Sequence, residues 1–218
     1  MTRLMPHRML LRFELPIHRF DAPPHIDGDL ADWDDRYRLP PLGEIDGASD
    51  WGDVYLGWDD DGLYVACRVT GKSQPLRCDP NRFWKGDNLR VMTDMRDTRT
   101  IHRASRFCQH FHFLPVGGGR DRRATVAASA KVNRATQHAP VIAAGQMPVA
   151  AAVTPTGYTL EAHIPKDCLA GFDPTDNPRI GLYTMLEDAD HGQQFLTVGD
   201  QMPWWVDPSL WATGVLQA

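Results

Sequence analysis

Short segments in which apolar and polar residues alternate recur along the chain, and turn signals separate them. Residues 53–58 and 62–69 form such a pair, and a run of aspartates lies between them. Alternation with a period of two is typical of strands with one buried face, and Asp and Gly favour a tight turn. Further segments of this kind are residues 88–94, 107–113, 124–132, 149–154, 158–164, 180–187 and 214–216. The pattern predicts an all-β protein.

The predicted strands are expected to form one domain over residues 1–218. Helical patterns are short, at residues 166–170 and 208–211, and residues 115–123 contain three consecutive glycines that predict a loop. No Pro/Ser-rich linker or repeat divides the chain, and 218 residues that are 42% hydrophobic can bury one core. We therefore expect an immunoglobulin-like or jelly-roll β-sandwich of two antiparallel sheets with short helical pieces.

Composition and charge narrow the possible partners. The chain has no run of about 18 apolar residues, so a membrane span is not expected. A net charge of −5 does not favour nucleic-acid binding, although residues 77–123 carry eleven Lys or Arg against five Asp. That basic middle suits an anionic ligand, or else its arginines pair with nearby acids on a solvated face. The oligomeric state stays open.

The opening segment, residues 1–16, lacks the uninterrupted apolar stretch and the small-residue cleavage site of a signal peptide. A cytoplasmic location is therefore the default expectation. Secretion would require a leader that is missing from this sequence.

The segment at residues 107–113 carries the strongest candidate chemistry. On a strand, its phenylalanines share one face, whereas Cys108, His110 and His112 share the other. We expect the phenylalanine face to meet the core and the second face to form a polar groove floor, with His as hydrogen-bond donor and acceptor. The three residues also resemble a Zn²⁺ or Cu⁺ ligand set, but alternate strand residues lie about 7 Å apart, which disfavours one shared metal.

Calcium is the candidate cofactor that the turn chemistry suggests. The run Asp59, Asp60 and Asp61 offers carboxylates from a loop, and Ca²⁺ binds six to eight oxygen ligands of this kind. Such a run is more often simple turn chemistry, because Asp is strongly preferred in turns.

Five motifs in chain order resemble those of family 9 carbohydrate-binding modules, which are β-sandwiches related to DOMON-type domains. The motifs are IDGDL at residues 26–30 with Trp33, the hairpin at residues 54–69, WKGDNL at residues 84–89 with Asp94, GYTLEAHIP at residues 157–165, and WVDPS at residues 205–209 with Trp211. Each motif alone is unspecific, but their order over most of the chain makes the match specific. The resemblance implies a non-catalytic module that binds a saccharide.

In that family two tryptophans sandwich a terminal sugar ring, and the resemblance places them at Trp84 and Trp205. An indole face offers a rigid apolar area to the C–H face of a pyranose, at little entropic cost. Trp204 takes the place of Trp205 if the register slips by one residue. Three further tryptophans are assigned to packing: Trp33, Trp51 and Trp58.

Two polar contacts of the family are exchanged in this sequence. The position of the family's sugar-contacting Glu is occupied by Arg90 in this sequence, and the position of the family's sugar-contacting Arg lies near Cys108. Arginine and histidine side chains in this region suit an anionic sugar such as a uronate or a sulfated residue. The residues concerned are Arg90, Arg103, Arg106 and His110. The predicted ligand-binding set is Trp84, Trp205, Arg90, Cys108, His110, His112 and Arg106.

Two alternative functions stay open at this point. Related DOMON-type domains hold haem through Met and His, so a haem- or metal-binding redox domain using Met92, Met95 and His110 is one alternative. An enzyme that uses the His/Cys/Arg cluster as acid, base or nucleophile is the other. The sequence contains no recognised motif of a serine hydrolase, a zinc peptidase or a dinucleotide-binding enzyme, so a non-catalytic role is favoured.

Overall fold

Strands account for most of the regular structure in the computed structural model, which describes residues 14–41 and 50–217. They are β1 (Glu14–Arg19), β2 (Gly52–Asp59), β3 (Gly62–Thr70), β4 (Asn88–Asp94), β5 (Cys108–Gly118), β6 (Ala124–Ala130), β7 (Val149–Thr154), β8 (Gly157–Pro165), β9 (Arg179–Asp188), β10 (Gly192–Phe195) and β11 (Ala212–Gln217). The all-β prediction is confirmed. Short 3-10 helices lie at Leu30–Asp32, Asp35–Tyr37, Pro80–Arg82, Lys166–Cys168 and Pro208–Leu210. Most of the opening segment, residues 1–16, lies outside the described residues.

The sequence pattern missed two strands and misplaced one loop. Strand β1 contains Pro16, which weakens a strand prediction, and β10 is a four-residue segment with little hydrophobic pattern. The loop predicted from residue 115 begins later, because β5 continues to Gly118. The register shifts between Leu114 and Gly118, and this irregularity accommodates a proline and glycines within the strand.

The strands form one continuous hydrogen-bonded sheet in the order β6-β5-β4-β9-β11-β1-β2-β3-β8-β7, and β10 pairs with β9. Its neighbours are antiparallel except around β1, which runs parallel to both β11 and β2. Ile17 lies opposite Leu216, and His18 lies opposite Gly57. The predicted division into two antiparallel sheets therefore differs from the hydrogen bonding, since β1 joins the two halves. Among the described residues, no helix has the length and apolar character needed to span a bilayer.

The two halves of the sheet pack against each other around one large apolar core. Phe111 and Phe113 of β5 share this cluster with Leu63 of β3 and Leu160 of β8, although these strands are far apart in the hydrogen-bonding order. The sheet therefore folds back on itself, and the phenylalanine face of β5 meets the core as predicted. The opposite face of β4, β5 and β9 is left for the site.

Two of the sequence motifs meet at a buried carboxylate in another part of the fold. Glu161 on β8 accepts hydrogen bonds from the Gly28 backbone N–H at 2.7 Å and from the Trp33 indole N–H at 2.6 Å. Burial raises the pKa of Glu161, and these donors oppose that shift. Since a buried carboxylate without partners is costly, these motifs serve the fold, and Trp33 is a packing residue as predicted.

Candidate functional site

A cavity of about 580 Å³, here called the groove, opens on the face of β4 and β5 that points away from the main core. Arg90 from β4 and His110 from β5 lie at its floor, whereas loop residues supply its aromatic side chains. The lining residues are Phe83, Trp84, Arg90, His110, Ala130, Lys131, Asn133, Gln193, Asp200, Trp204 and Trp205. The groove thus combines two exposed indoles with a small number of polar groups.

Trp84 forms one side of the groove and has 48% of its surface exposed. Its ring meets Phe83 edge-on, with centroids 5.3 Å apart and an angle of 86°. Phe83 in turn stacks flat on His112 of β5, at 3.8 Å and 11°. These three rings, Trp84, Phe83 and His112, form the first wall. An edge-on contact followed by a flat stack fixes the direction in which the indole stands.

Trp205 forms the other side and is 37% exposed, whereas its neighbour Trp204 is only 2% exposed. Trp205 meets Trp204 edge-on at 5.5 Å and 89°, and Trp204 stacks on Tyr183 of β9 at 4.7 Å and 16°. The Trp211 indole N–H donates to the Trp204 carbonyl at 2.9 Å. Trp205, Trp204 and Tyr183 form the second wall. Of the two adjacent tryptophans, Trp205 is the more exposed.

Arg90 is buried on the floor and is held by three neighbours. Its guanidinium pairs with Glu187 of β9, its Nε donates to Asn88 Oδ1 at 3.1 Å, and its charged end lies 5.3 Å from the Trp204 ring centre. Burial lowers the pKa of Arg90, and the nearby Glu187 opposes that shift. An arginine keeps its proton in proteins. Burial raises the pKa of Glu187, and the Arg90 charge opposes that shift, so the Glu187 carboxylate is held against Arg90 and balances its charge.

His110 and His112 lie side by side on β5, opposite Met92 and Arg90 of β4. Burial lowers the pKa of His110 to about 3 and that of His112 to about 4, and the Arg90 charge adds to both shifts. Both rings are therefore neutral near pH 7. Within the described part of the chain, His110 Nε2 and His112 Nδ1 are buried without a hydrogen-bond partner.

Cys108 and Arg106, both predicted for the ligand-binding set, lie away from the groove. Cys108 is buried in a second apolar cluster with Trp204 and Trp211. In the strand register it lies opposite Asp94, the last residue of β4. Alternation therefore placed Cys108 on the correct face but too far along the strand. Arg106 is exposed, with its guanidinium 4.9 Å from the Phe107 ring centre. His112 lies beneath Phe83 rather than in the lining.

A model of the family described as carbohydrate family 9 binding domain-like matches residues 43–218. The chain belongs to this family. A family 9 carbohydrate-binding module from Caldicellulosiruptor kristjanssonii, solved with cellotriose, superposes on this family 9 domain with a TM-score of 0.64 at 17% identity, covering 94% of each chain. The glucose complex gives the same score and identity and covers 94% of this chain and 96% of that one.

A third solved structure, a protein from Bacteroides uniformis, matches the family 9 domain with a TM-score of 0.58 and 9% identity, covering 95% of this chain and 100% of the other. At these identities the structural likenesses show the fold. No curated protein matches the chain in sequence.

The aspartates considered for Ca²⁺ already have partners within this family 9 domain. The pairs are Asp59 with the Tyr64 hydroxyl, Asp60 with Arg19, and Asp61 with Lys166. Among the residues that the structure describes, no group of three or more His, Cys, Asp or Glu is arranged to hold a metal ion. The carboxylates of this turn therefore serve local hydrogen bonds and ion pairs.

Among the residues considered for redox or acid–base chemistry, Met92 lies opposite His110 and Arg90 lies opposite His112, whereas Met95 lies apart from them. Met92 packs in the second apolar cluster and Met95 in the main core. Burial raises the pKa of the Cys108 thiol to about 12, and His110 is a poor base at its lowered pKa. A neutral thiol and a weakly basic imidazole suit hydrogen bonding better than nucleophilic attack.

The sequence interpretation did not identify several of the groove residues. Phe83 directly precedes Trp84, just as Trp204 precedes Trp205, and this repeated aromatic pair is the one signal that was available. Gln193 comes from β10, which the pattern missed. Lys131, Asn133 and Asp200 lie outside the strands, and only the tertiary fold brings them to the groove.

Proposed function

We propose that this family 9 domain is a non-catalytic saccharide-binding module that holds one sugar ring between Trp84 and Trp205. The observation that carries the proposal is that two half-exposed indoles line one cavity, each standing edge-on against a second ring. The similar module from Caldicellulosiruptor kristjanssonii was solved with cellotriose and with glucose. We also propose that the fold is a β-sandwich, because both halves of the sheet contribute to one shared core.

The chemistry of the groove suits a sugar. Large exposed aromatic surfaces are unusual on a soluble domain unless they bind something, and a pyranose offers apolar C–H faces to them. Asn133, Gln193 and Asp200 add hydrogen-bonding groups that sugar hydroxyls require. A pocket with apolar sides and a few polar groups binds by contact area and discriminates by hydrogen bonds.

Calorimetric titration with glucose and cellotriose tests the proposal. We expect Trp84→Ala and Trp205→Ala each to weaken binding by about tenfold or more, because each removes one stacking face. The unfolding temperature should stay close to that of the wild type. Val153→Ala, which truncates an exposed apolar residue of β7, is the control and should change neither quantity. Absence of saccharide binding in the wild type, across neutral and acidic sugars, would refute the proposal.

A preference for an anionic saccharide is the finer part of the proposal. Arg90 is already balanced by Glu187, so the support comes from Lys131, which is exposed at the groove and has no ion-pair partner among the described residues. Lys131→Gln should weaken binding of a uronate oligosaccharide a few-fold at low salt and leave a neutral one unchanged. Equal affinity of the wild type for both sugars would remove the anionic preference and leave saccharide binding intact.

A further inference from the structure

A second cavity of about 210 Å³, here called the side cavity, adjoins the groove. The two share His110, Ala130 and Lys131 in their linings. Beyond these residues the walls of the side cavity are mainly apolar, and Val132 and Ala135 contribute to them. A ligand in the groove therefore has, directly beside it, room for a small substituent with apolar character.

His110 is the polar group at this junction. Its side chain is more than nine-tenths buried and lines both cavities. Its Nε2 has no hydrogen-bond partner within the part of the chain that the structure describes. A buried polar atom left unpaired is costly, so a ligand group that displaces the side chains now covering this nitrogen and brings an acceptor to it gains a hydrogen bond.

We infer that the side cavity accepts the acetyl group of an acetylated saccharide whose ring lies in the groove, with His110 Nε2 hydrogen-bonded to that group. This inference rests on the proposed function and names the class of sugar. The methyl end of an acetyl group matches the apolar walls near Val132 and Ala135. Its carbonyl oxygen accepts a hydrogen bond from the Nε2 proton of a neutral imidazole.

Other common sugar substituents fit this combination less well. A hydroxymethyl group would bring a second polar atom against apolar walls, and a hydroxyl alone would leave the space beside Ala135 empty. A carboxylate held against the apolar walls near Val132 and Ala135 would lose hydration, and its charge is better placed on the groove side, where Lys131 lies. The acetyl chemistry is shared by N-acetylated amino sugars and by O-acetylated sugars, so the test contains both.

The experiment is calorimetric titration of the whole chain with two matched pairs of oligosaccharides. One pair is cellotriose and its N-acetylated counterpart, tri-N-acetylchitotriose, and the other is xylotriose and O-acetylated xylotriose. We expect the acetylated member of at least one pair to bind about tenfold tighter, as one methyl-sized group in a fitted apolar pocket does. Preference in the first pair alone assigns an amide, and preference in the second alone assigns an ester.

Two variants locate the effect. Ala135→Leu occupies part of the side cavity and should reduce the preference several-fold while affinity for the unacetylated sugar stays unchanged. Ala152→Leu makes the same change at an exposed position of β7 and is the matched control. His110→Phe keeps the ring but removes the nitrogen, and it should reduce the preference several-fold. It also keeps the inference testable if the leucine variant fails to fold, which thermal melting would reveal.

The outcomes separate this inference from the proposed function. Equal binding of both members of each pair overturns the inference and leaves the saccharide-binding groove in place. A preference that is unreduced in His110→Phe, and in Ala135→Leu where that variant folds, places the acetyl group elsewhere and also overturns it. Wild-type protein that binds none of the four sugars, nor acidic ones, overturns the proposed function and the inference together.

Discussion

The two walls of the groove have the same ring geometry, but they differ in how deeply their middle ring is buried. In each, an exposed indole stands edge-on against a second ring, which stacks flat on a strand residue. In the second wall that middle ring is Trp204, which is buried among apolar neighbours and lies beneath the Arg90 guanidinium. In the first wall it is Phe83, which is only half-buried and follows the short 3-10 helix Pro80–Arg82.

This difference shows how one binding site can combine a fixed side with an adjustable one. The second wall is continuous with an apolar cluster, so its position is set by the same packing that stabilises the fold. The first wall rests on His112, a neutral ring with an unpaired buried nitrogen, and its middle ring, Phe83, belongs to none of the apolar clusters among the described residues. We therefore expect changes in the second wall to affect stability and changes in the first to affect mainly ligand binding.

The largest expected effect is that of Trp204→Ala. Removing a buried indole from a packed cluster should lower the free energy of unfolding by about 3–5 kcal/mol, because both the burial and the packing are lost. Urea denaturation of the wild type and the variant measures this difference. Trp205→Ala is the control, and its cost should stay within about 0.5 kcal/mol, as for a surface residue. A loss below about 1 kcal/mol for Trp204→Ala would show that the second wall is not part of the core.

The ion pair above the second wall should give the next largest effect. Glu187→Gln leaves the buried Arg90 guanidinium without its carboxylate, and we expect a loss of about 2 kcal/mol in the free energy of unfolding. Asp34→Asn, which disrupts the exposed pair with Arg36, should cost less than about 1 kcal/mol. Similar losses in the two variants would mean that the Arg90 pair is solvated.

The histidines predict a dependence of stability on pH. In the folded state the pKa values of His110 and His112 are lowered to about 3 and about 4, whereas an unfolded histidine titrates near about 6.5. Between these limits the unfolded chain binds more protons, so stability is present above about pH 6.5 and falls as the pH decreases. The expected loss between pH 7 and pH 5 is roughly 1–2 kcal/mol per histidine.

Denaturation at pH 7 and pH 5, in the wild type and in His112→Phe, measures this effect in the first wall. The phenylalanine keeps a ring beneath Phe83 but has no proton to gain, so the variant should lose less stability over this range. A wild-type stability that does not change between the two pH values would contradict the assignment of neutral buried rings.

The smallest expected stability effect comes from Phe83→Ala. Phe83 is half-buried, so its truncation should cost about 1 kcal/mol in folding. Binding of the saccharide should nevertheless weaken several-fold, because Trp84 loses the ring that orients it. Calorimetry and urea denaturation of the same preparation separate the two quantities. A larger loss of stability than for Trp204→Ala would reverse the comparison between the walls.

The sequence predicted those features that depend on neighbouring residues along one strand. Alternation assigned Phe111 and Phe113 to the core and His110 to the opposite face. Each of these is a local property, because successive strand residues point to opposite faces. The same alternation also assigned Cys108 to the groove. Alternation predicts which face of a strand a residue occupies, but it does not predict how far along the strand a cavity extends.

What the sequence did not predict depends on residues that meet only in the folded chain. Glu187, which balances Arg90, lies 97 residues further along the chain, and β9 had to be placed beside β4 before the pair was visible. Without that partner the charge on Arg90 looked available to a ligand. Tyr183, which supports Trp204, comes from the same strand.

The pairing of strand β1 also affects the rate and the order in which this fold forms. Residues 14–18 pair with residues 213–217, so almost the whole chain separates the partners. Contacts of such large sequence separation slow folding, because a long loop must close before they form. During synthesis the two halves of the sheet therefore cannot be joined through β1 until residue 217 has left the ribosome, and until then β1 has edge groups exposed to other chains.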